Sequence, residues 1–131
     1  MDMEVFFPGN QKVHARYKGF LIETDQPAQA GGDETAPAPF DLFIASIGTC
    51  AGIYVLRFLQ QRGLSTEGAG ITLRQERDPE TKLVSKISLE IKLPPDFPEK
   101  YTEAVIRTAE LCAVKRHLDT PPAFDTFVTI G

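Results

Sequence analysis

The sequence predicts an α+β domain whose strands and helices are clustered rather than alternating, in the order βββ-α-ββ-α-β. Three observations carry this reading. Short alternating segments separated by turn residues fill the chain up to Thr24. One long apolar stretch with helical start and stop signals begins at Pro39. Two further alternating segments, Ile71 to Arg77 and Leu83 to Leu93, flank the turn Asp78-Pro79-Glu80-Thr81.

Taken in order, Met3 to Phe7 is a strand closed by the turn Pro8-Gly9-Asn10. Lys12 to Tyr17 and Phe20 to Thr24 follow it, so the start of the chain is a hairpin or meander. Pro27 to Ala38 holds Pro, Gly, Ala and acidic residues with nothing to pack, and is a loop. The helix that follows, from about Pro39 to Arg62, opens with a proline whose missing N–H costs nothing there and with Asp41 at the positive end of the dipole. From Phe40 to Leu59 apolar or small residues occur on every side, and only Asp41 and Arg57 are charged. A helix that is apolar all round must be covered all round. The remaining elements of so short a chain are too few for that, which predicts a dimer that shares the covering. Gly48 and Gly52 stand on either side of Cys50 and cost roughly 1 kcal/mol each against alanine, so they are expected to admit a close neighbour. Gly63 closes the helix.

The Ile71–Arg77 and Leu83–Leu93 segments form a β-hairpin, with Ile71, Leu73, Ile87, Leu89, Ile91 and Leu93 alternating. Pro94-Pro95 breaks the chain. A second helix runs from about Glu99 to Leu111, with Tyr101, Val105, Thr108, Ala109 and Cys112 at helical spacing, and the sequence leaves open whether it continues through Leu118. Pro121-Pro122 stops it, and Phe124 to Ile130 is expected as a final strand.

Composition bounds the function. At 131 residues the chain is expected to be one domain, 1–131. Hydrophobic content of 42% and charged content of 24% describe an ordinary folded domain rather than a disordered one. A net charge of −4 leaves no basic footprint for a phosphate backbone, so nucleic acid is not an expected partner. Asp2 and Glu4 stand where a secretion signal would be basic, and no apolar run is expected to reach the length of a bilayer span. No membrane partner is expected, and a cytoplasmic location follows, where two cysteines stay reduced. No phosphate-cradling glycine loop is present, and Ser46 and Ser65 lack a nucleophile's strand-turn-helix context. Cys50, Cys112, His14 and His117 match no zinc spacing, so neither a metal nor a cofactor is expected.

The chemistry-bearing residues are Cys50 and Cys112, far apart in sequence and both in helical segments. If the fold brings them together, one sulfur can react and the other resolve it. Cys50 has Ser46, Ile47, Ile53 and Tyr54 one turn away and none is cationic, so a cation must come from another segment, with Arg16 and His14 as candidates. Cys112 has Lys115 and Arg116 one turn on, a local source of stabilising charge. Two inert cysteines packed as small hydrophobes fit the same residues. Tyr54 reads as core.

The run Ala38-Pro39-Phe40-Asp41-Leu42-Phe43-Ile44-Ala45-Ser46-Ile47-Gly48-Thr49-Cys50 resembles the central-helix signature of the OsmC/Ohr family, in which a proline starts a helix that carries a cysteine about three turns later. Ala109-Glu110-Leu111-Cys112-Ala113-Val114 is similar to that family's second cysteine segment. The Gly31–Pro37 loop and the order of elements agree, so the resemblance covers nearly the whole chain. It implies an intertwined homodimer, with central helices sandwiched by strands of both chains, and a meeting of Cys50 with Cys112 near the dimer interface. It also implies a thiol-dependent redox protein that reduces organic or hydrogen peroxides. Cys50 is then the attacking thiol, Cys112 the resolving one, Arg16 the N-terminal arginine, and a dithiol the reductant. One departure stands out. The family's peroxidases place a glutamate directly after the helix-starting proline, and here that position is Phe40. Asp41 is turned about 100° away around the helix. The chain therefore resembles the OsmC-like branch more than the dedicated hydroperoxide reductases. The rival reading is a non-catalytic dimer that binds a hydrophobic ligand or is purely structural, its cysteines inert.

Overall fold

The computed structural model describes residues 2–131 and is α+β, as expected from the sequence. The chain forms two compact units, one up to Ala45 and one from Ser46 onward, with the boundary inside the long helix.

In the first unit, β1 (Glu4–Gly9), β2 (Lys12–Tyr17) and β3 (Phe20–Thr24) make an antiparallel sheet in the order β1-β2-β3. The β2–β3 turn has left-handed backbone at both central residues, Lys18 (φ 51) and Gly19 (φ 81), the two-residue geometry whose twist matches the strands it joins. Register pairs Tyr17 with Phe20 and Val13 with Thr24. Beyond β3 the loop is organised by Asp25, which is fully buried. Its carboxylate accepts from Thr35 Oγ1 at 2.6 Å, from the Thr35 N–H at 3.0 Å and from the Gln26 N–H at 2.8 Å. These hydrogen bonds, Thr35's hydroxyl first, hold its pKa far below the usual carboxylate range against the opposing cost of burial. Lys12 pairs with Asp33 and lies 3.9 Å from Asp25. The loop delivers the chain to Pro39, the first residue of helix α1 (Pro39–Gln61). There Asp41 accepts the Ala38 N–H at 3.0 Å.

In the second unit α1 contributes Ala51, Val55, Phe58 and Leu59 to the core. It ends in a Schellman motif: Gly63 is left-handed (φ 64), its N–H donates to the Gln60 carbonyl at 3.1 Å, and the Leu64 N–H donates to the Leu59 carbonyl at 2.9 Å. The hairpin β4 (Gly70–Arg77) and β5 (Val84–Lys92) lays Ile71 and Ile91, paired in register, against that core. Helix α2 (Thr102–Ala109) adds Val105 and Ala109. Arg62 stacks over the Phe58 ring at 3.6 Å and so covers the core's edge with its own stem.

Three expectations are corrected. First, the second helix does not run through Cys112. It stops at Ala109, and a separate helix α3 (Ala113–Asp119) starts after Cys112, whose backbone (φ −45, ψ 127) is not helical. No proline or glycine stands between Ala109 and Ala113, so the break was not visible in composition. Second, Phe124–Ile130 forms no strand, because a strand needs a ladder partner and the segment has none among the described residues; Phe124 and Ile130 are 89% and 96% exposed. Within the chain, Gly52 faces open space and a methyl at Gly48 would meet Leu73 at an ordinary 3.7 Å. Third, α1 is long and apolar enough to cross a membrane by length and composition. Its buried face, from Ile47 to Leu59, packs into protein.

Candidate functional site

Cys50 sits halfway along α1, one turn from Ile47 and Tyr54, with its side chain half-buried. Cys112 lies at the α2–α3 break and is 2% exposed. Both cysteines are free thiols, and the fold brings them into hydrogen-bond contact.

The break that separates α2 from α3 is what equips the site. The first N–H groups of any helix lack an acceptor within it. Two such groups here, those of Val114 and Ala113, donate to the sulfur of Cys50. The Cys50 thiol is consequently more acidic than an ordinary one, with the Val114 N–H as the largest cause. Partial burial opposes the shift, while the Cys112 thiol, the Ala113 N–H and the charge of Arg116 add to it. Cys112 moves the other way. Burial raises its pKa most, and the hydrogen bond it shares with Cys50 raises it further, outweighing the N–H groups of Lys115 and Val114 that favour its ionised form. The two shifts run in opposite directions within one pair, Cys50 becoming the more acidic thiol and Cys112 the less acidic. A pair coupled in this way loses its protons in two steps that belong to the pair.

The local charge near Cys112 therefore serves the other sulfur. Arg116 was expected to assist Cys112, and its charge acts on Cys50. Arg16 lies on β2 with its guanidinium 4.0 Å above the Phe6 ring, and His14 meets the same ring edge-on at 5.8 Å. His117, on α3, donates from Nδ1 to the Ala113 carbonyl at 2.6 Å. Among the described residues no group of three or more His, Cys, Asp or Glu side chains is gathered as metal ligands would be. At the head of α1, Phe40 is 43% exposed and packs against Phe43 at 5.4 Å between ring centres. Asp41 is occupied in capping the helix. The residues missed from sequence are Ala113 and Val114, which act through backbone N–H groups that carry no residue-type signal.

The OsmC-like protein family matches residues 31–127, a span that contains both cysteines. Among solved structures, one from Psychrobacter arcticus, assigned to the osmotic stress induced and detoxification response, superposes with a TM-score of 0.72 at 20% identity, covering 87% of this chain and 85% of its own. An OsmC-like protein from Mycoplasma pneumoniae gives 0.70 at 13% identity, over 92% and 87% of the two chains. The organic hydroperoxide resistance protein OhrB of Bacillus subtilis gives 0.53 at 17% identity, over 92% and 93%. At these identities the structural likeness is one of fold. No functionally curated protein matches the chain in sequence. The match over most of the sequence, with the paired cysteines inside it, makes this chain a member of the OsmC-like protein family.

Proposed function

We propose that the protein is a thiol peroxidase that reduces organic or hydrogen peroxides, with Cys50 attacking and Cys112 resolving. The single observation that carries the reading is the pairing of an acidified Cys50 with a buried, less acidic Cys112. A peroxide needs a thiolate to attack its outer oxygen, and the oxidised sulfur then needs a second thiol within reach. The Cys50 thiolate takes the outer oxygen and becomes a sulfenic acid, and the alcohol or water leaves. Cys112 then displaces hydroxide from that sulfur to give a disulfide, which an external dithiol reduces. The electrons come from the sulfur pair, so the scheme needs no cofactor. A role in peroxide stress agrees with the fold shared with the hydroperoxide resistance protein of Bacillus subtilis.

The active form in this reading is a homodimer, in a reducing compartment such as the cytoplasm. A folded monomer of 14.5 kDa exposes roughly 6,900 Å² by the usual scaling, and this chain exposes 9951 Å². The excess is larger than one partner's share of a standard interface, about 800 Å². Phe7, Phe20, Ile53, Leu56, Phe127 and Val128 are among the exposed apolar residues.

The test is a thiol titration of the native protein before and after one equivalent of cumene hydroperoxide. Loss of two thiols per chain, restored by dithiothreitol and abolished in Cys50→Ser, is the expected result. Unchanged thiols would instead favour the ligand-binding dimer with inert cysteines.

A further inference from the structure

The segment between β3 and α1 closes into a ring on a single residue. On Oδ1 Asp25 accepts the Gln26 N–H at 2.8 Å, and on Oδ2 it accepts the Thr35 N–H at 3.0 Å and the Thr35 hydroxyl at 2.6 Å. Its own N–H donates to the Pro37 carbonyl at 3.2 Å, so both ends of residues 26–37 are tied to Asp25. Inside the ring the Gly32 N–H donates to the Pro27 carbonyl at 3.0 Å and the Glu34 N–H to the Gln26 carbonyl at 3.2 Å. No residue from 26 to 37 is buried, whereas Asp25 is 0% exposed. Apolar burial therefore contributes little to holding the ring shut, and a buried carboxylate with its polar donors carries the closure. The charged groups around that carboxylate come from β2 and from the ring itself. Lys12 is the cation, 3.9 Å from Asp25 and paired with Asp33. Glu34 accepts the Ala28 N–H at 3.0 Å, and Asn10, from the β1–β2 turn, donates to the Gly31 carbonyl at 3.0 Å.

We propose that residues 26–37 form a strap that opens as one unit, latched by the ionised Asp25 carboxylate and released when that charge is removed, while β1, β2 and β3 stay paired. A segment with few buried apolar contacts belongs to the low end of local stabilities, so it can open without unfolding the sheet beside it. The latch needs the charge because each carboxylate oxygen already receives a donor. A proton added to either oxygen meets an N–H or O–H that points at it, so a hydrogen bond is lost, and the attraction of Lys12 is lost with it. The hydrogen bonds from Thr35 and Gln26 also hold the Asp25 carboxyl well below the usual carboxylate range. A carboxylate depressed in the folded chain contributes fully above its unfolded value of about 3.9, and that contribution is lost as pH falls below it toward the folded value. Acid therefore opens the strap from about pH 4 downward.

Amide hydrogen exchange on the full chain tests this. At neutral pH the amides of Gly32, Glu34 and Thr35 are expected to share one protection factor, lower than those of the paired amides of β2. Asp25→Asn keeps the shape and removes the charge. It should lower the shared protection about tenfold or more, the worth of one hydrogen bond to a charged group, and leave β2 within about twofold of native. Thr35→Val removes only the hydroxyl donor, should lower the same three amides, and carries the test if Asp25→Asn does not fold. Glu34→Gln keeps its acceptor oxygen and should change none of them, which separates Asp25 from the other carboxylate that closes the ring. In the native chain the shared protection should fall on acidification below about pH 4 while β2 holds. Three unequal protection factors, or an equal fall in β2, would overturn the strap as a unit. Shared protection that is indifferent to Asp25→Asn, Thr35→Val and acid would overturn Asp25 as its latch.

Discussion

A thiol buried without compensation becomes less acidic, and Cys112 follows that rule. Cys50 escapes it because three donors converge on its sulfur. Since the Val114 N–H is the largest of these, Val114→Pro isolates its effect. The position lies in the first turn of α3, where proline is tolerated and the N–H has no helical acceptor to lose. Removing a hydrogen-bond donor that favours the charged form should raise the Cys50 pKa. The sign follows from the direction of the shift. A group whose folded pKa is depressed contributes stability and reactivity at pH above that pKa, and both are lost as pH falls through it. The variant should therefore lose Cys50 thiolate, and peroxide reactivity with it, at a higher pH than the native chain. An ultraviolet thiolate titration of both proteins measures this, and coincident curves would remove the amide from the account.

At the scale of elements, the loop between β3 and α1 shows how closely backbone can be set. A β-carbon on Gly32 would lie 1.9 Å from the Gln26 carbonyl oxygen, a contact that no rearrangement of side chains relieves. Gly32→Ala should displace the segment that brings Thr35 to Asp25, and lower the urea midpoint markedly. Gly19→Ala, at a turn with open space around it but a left-handed backbone (φ 81), should cost about 1 kcal/mol or so. A Gly32 variant as stable as the Gly19 one would mean that the loop adapts. The three initial strands, α1 and the second hairpin were legible because each carries its own period and turn chemistry. The α2–α3 break was not legible. Local preference at Thr108 to Ala113 supports a continuous helix, and the non-helical backbone at Cys112 is a tertiary outcome.

For the whole molecule, the exposed apolar area is the dominant fact. Ile53 and Leu56 lie on the solvent side of α1, and next to Ile53 Gly52 has nothing within 4 Å of where a β-carbon would stand. If a second copy covers this face, an aspartate there meets desolvation without a partner. The native chain is expected to sediment at about twice 14.5 kDa and Ile53→Asp as a monomer. A native monomer at micromolar concentration would leave the apolar face without its proposed cover. The C-terminal Phe124–Ile130 segment belongs to the same question, since its residues alternate as a strand does yet pair with nothing among the described residues of the chain.

By itself the sequence determined the α+β class, the long apolar helix centred on Cys50 and the identity of the two sulfurs, because periodicity, capping residues and side-chain chemistry are local properties. Only the tertiary structure decided which sulfur is the more acidic. That choice depends on where a helix breaks, and so on which backbone N–H groups are left without an acceptor. It also depends on how deeply each thiol lies from water, and neither quantity is written in residue type.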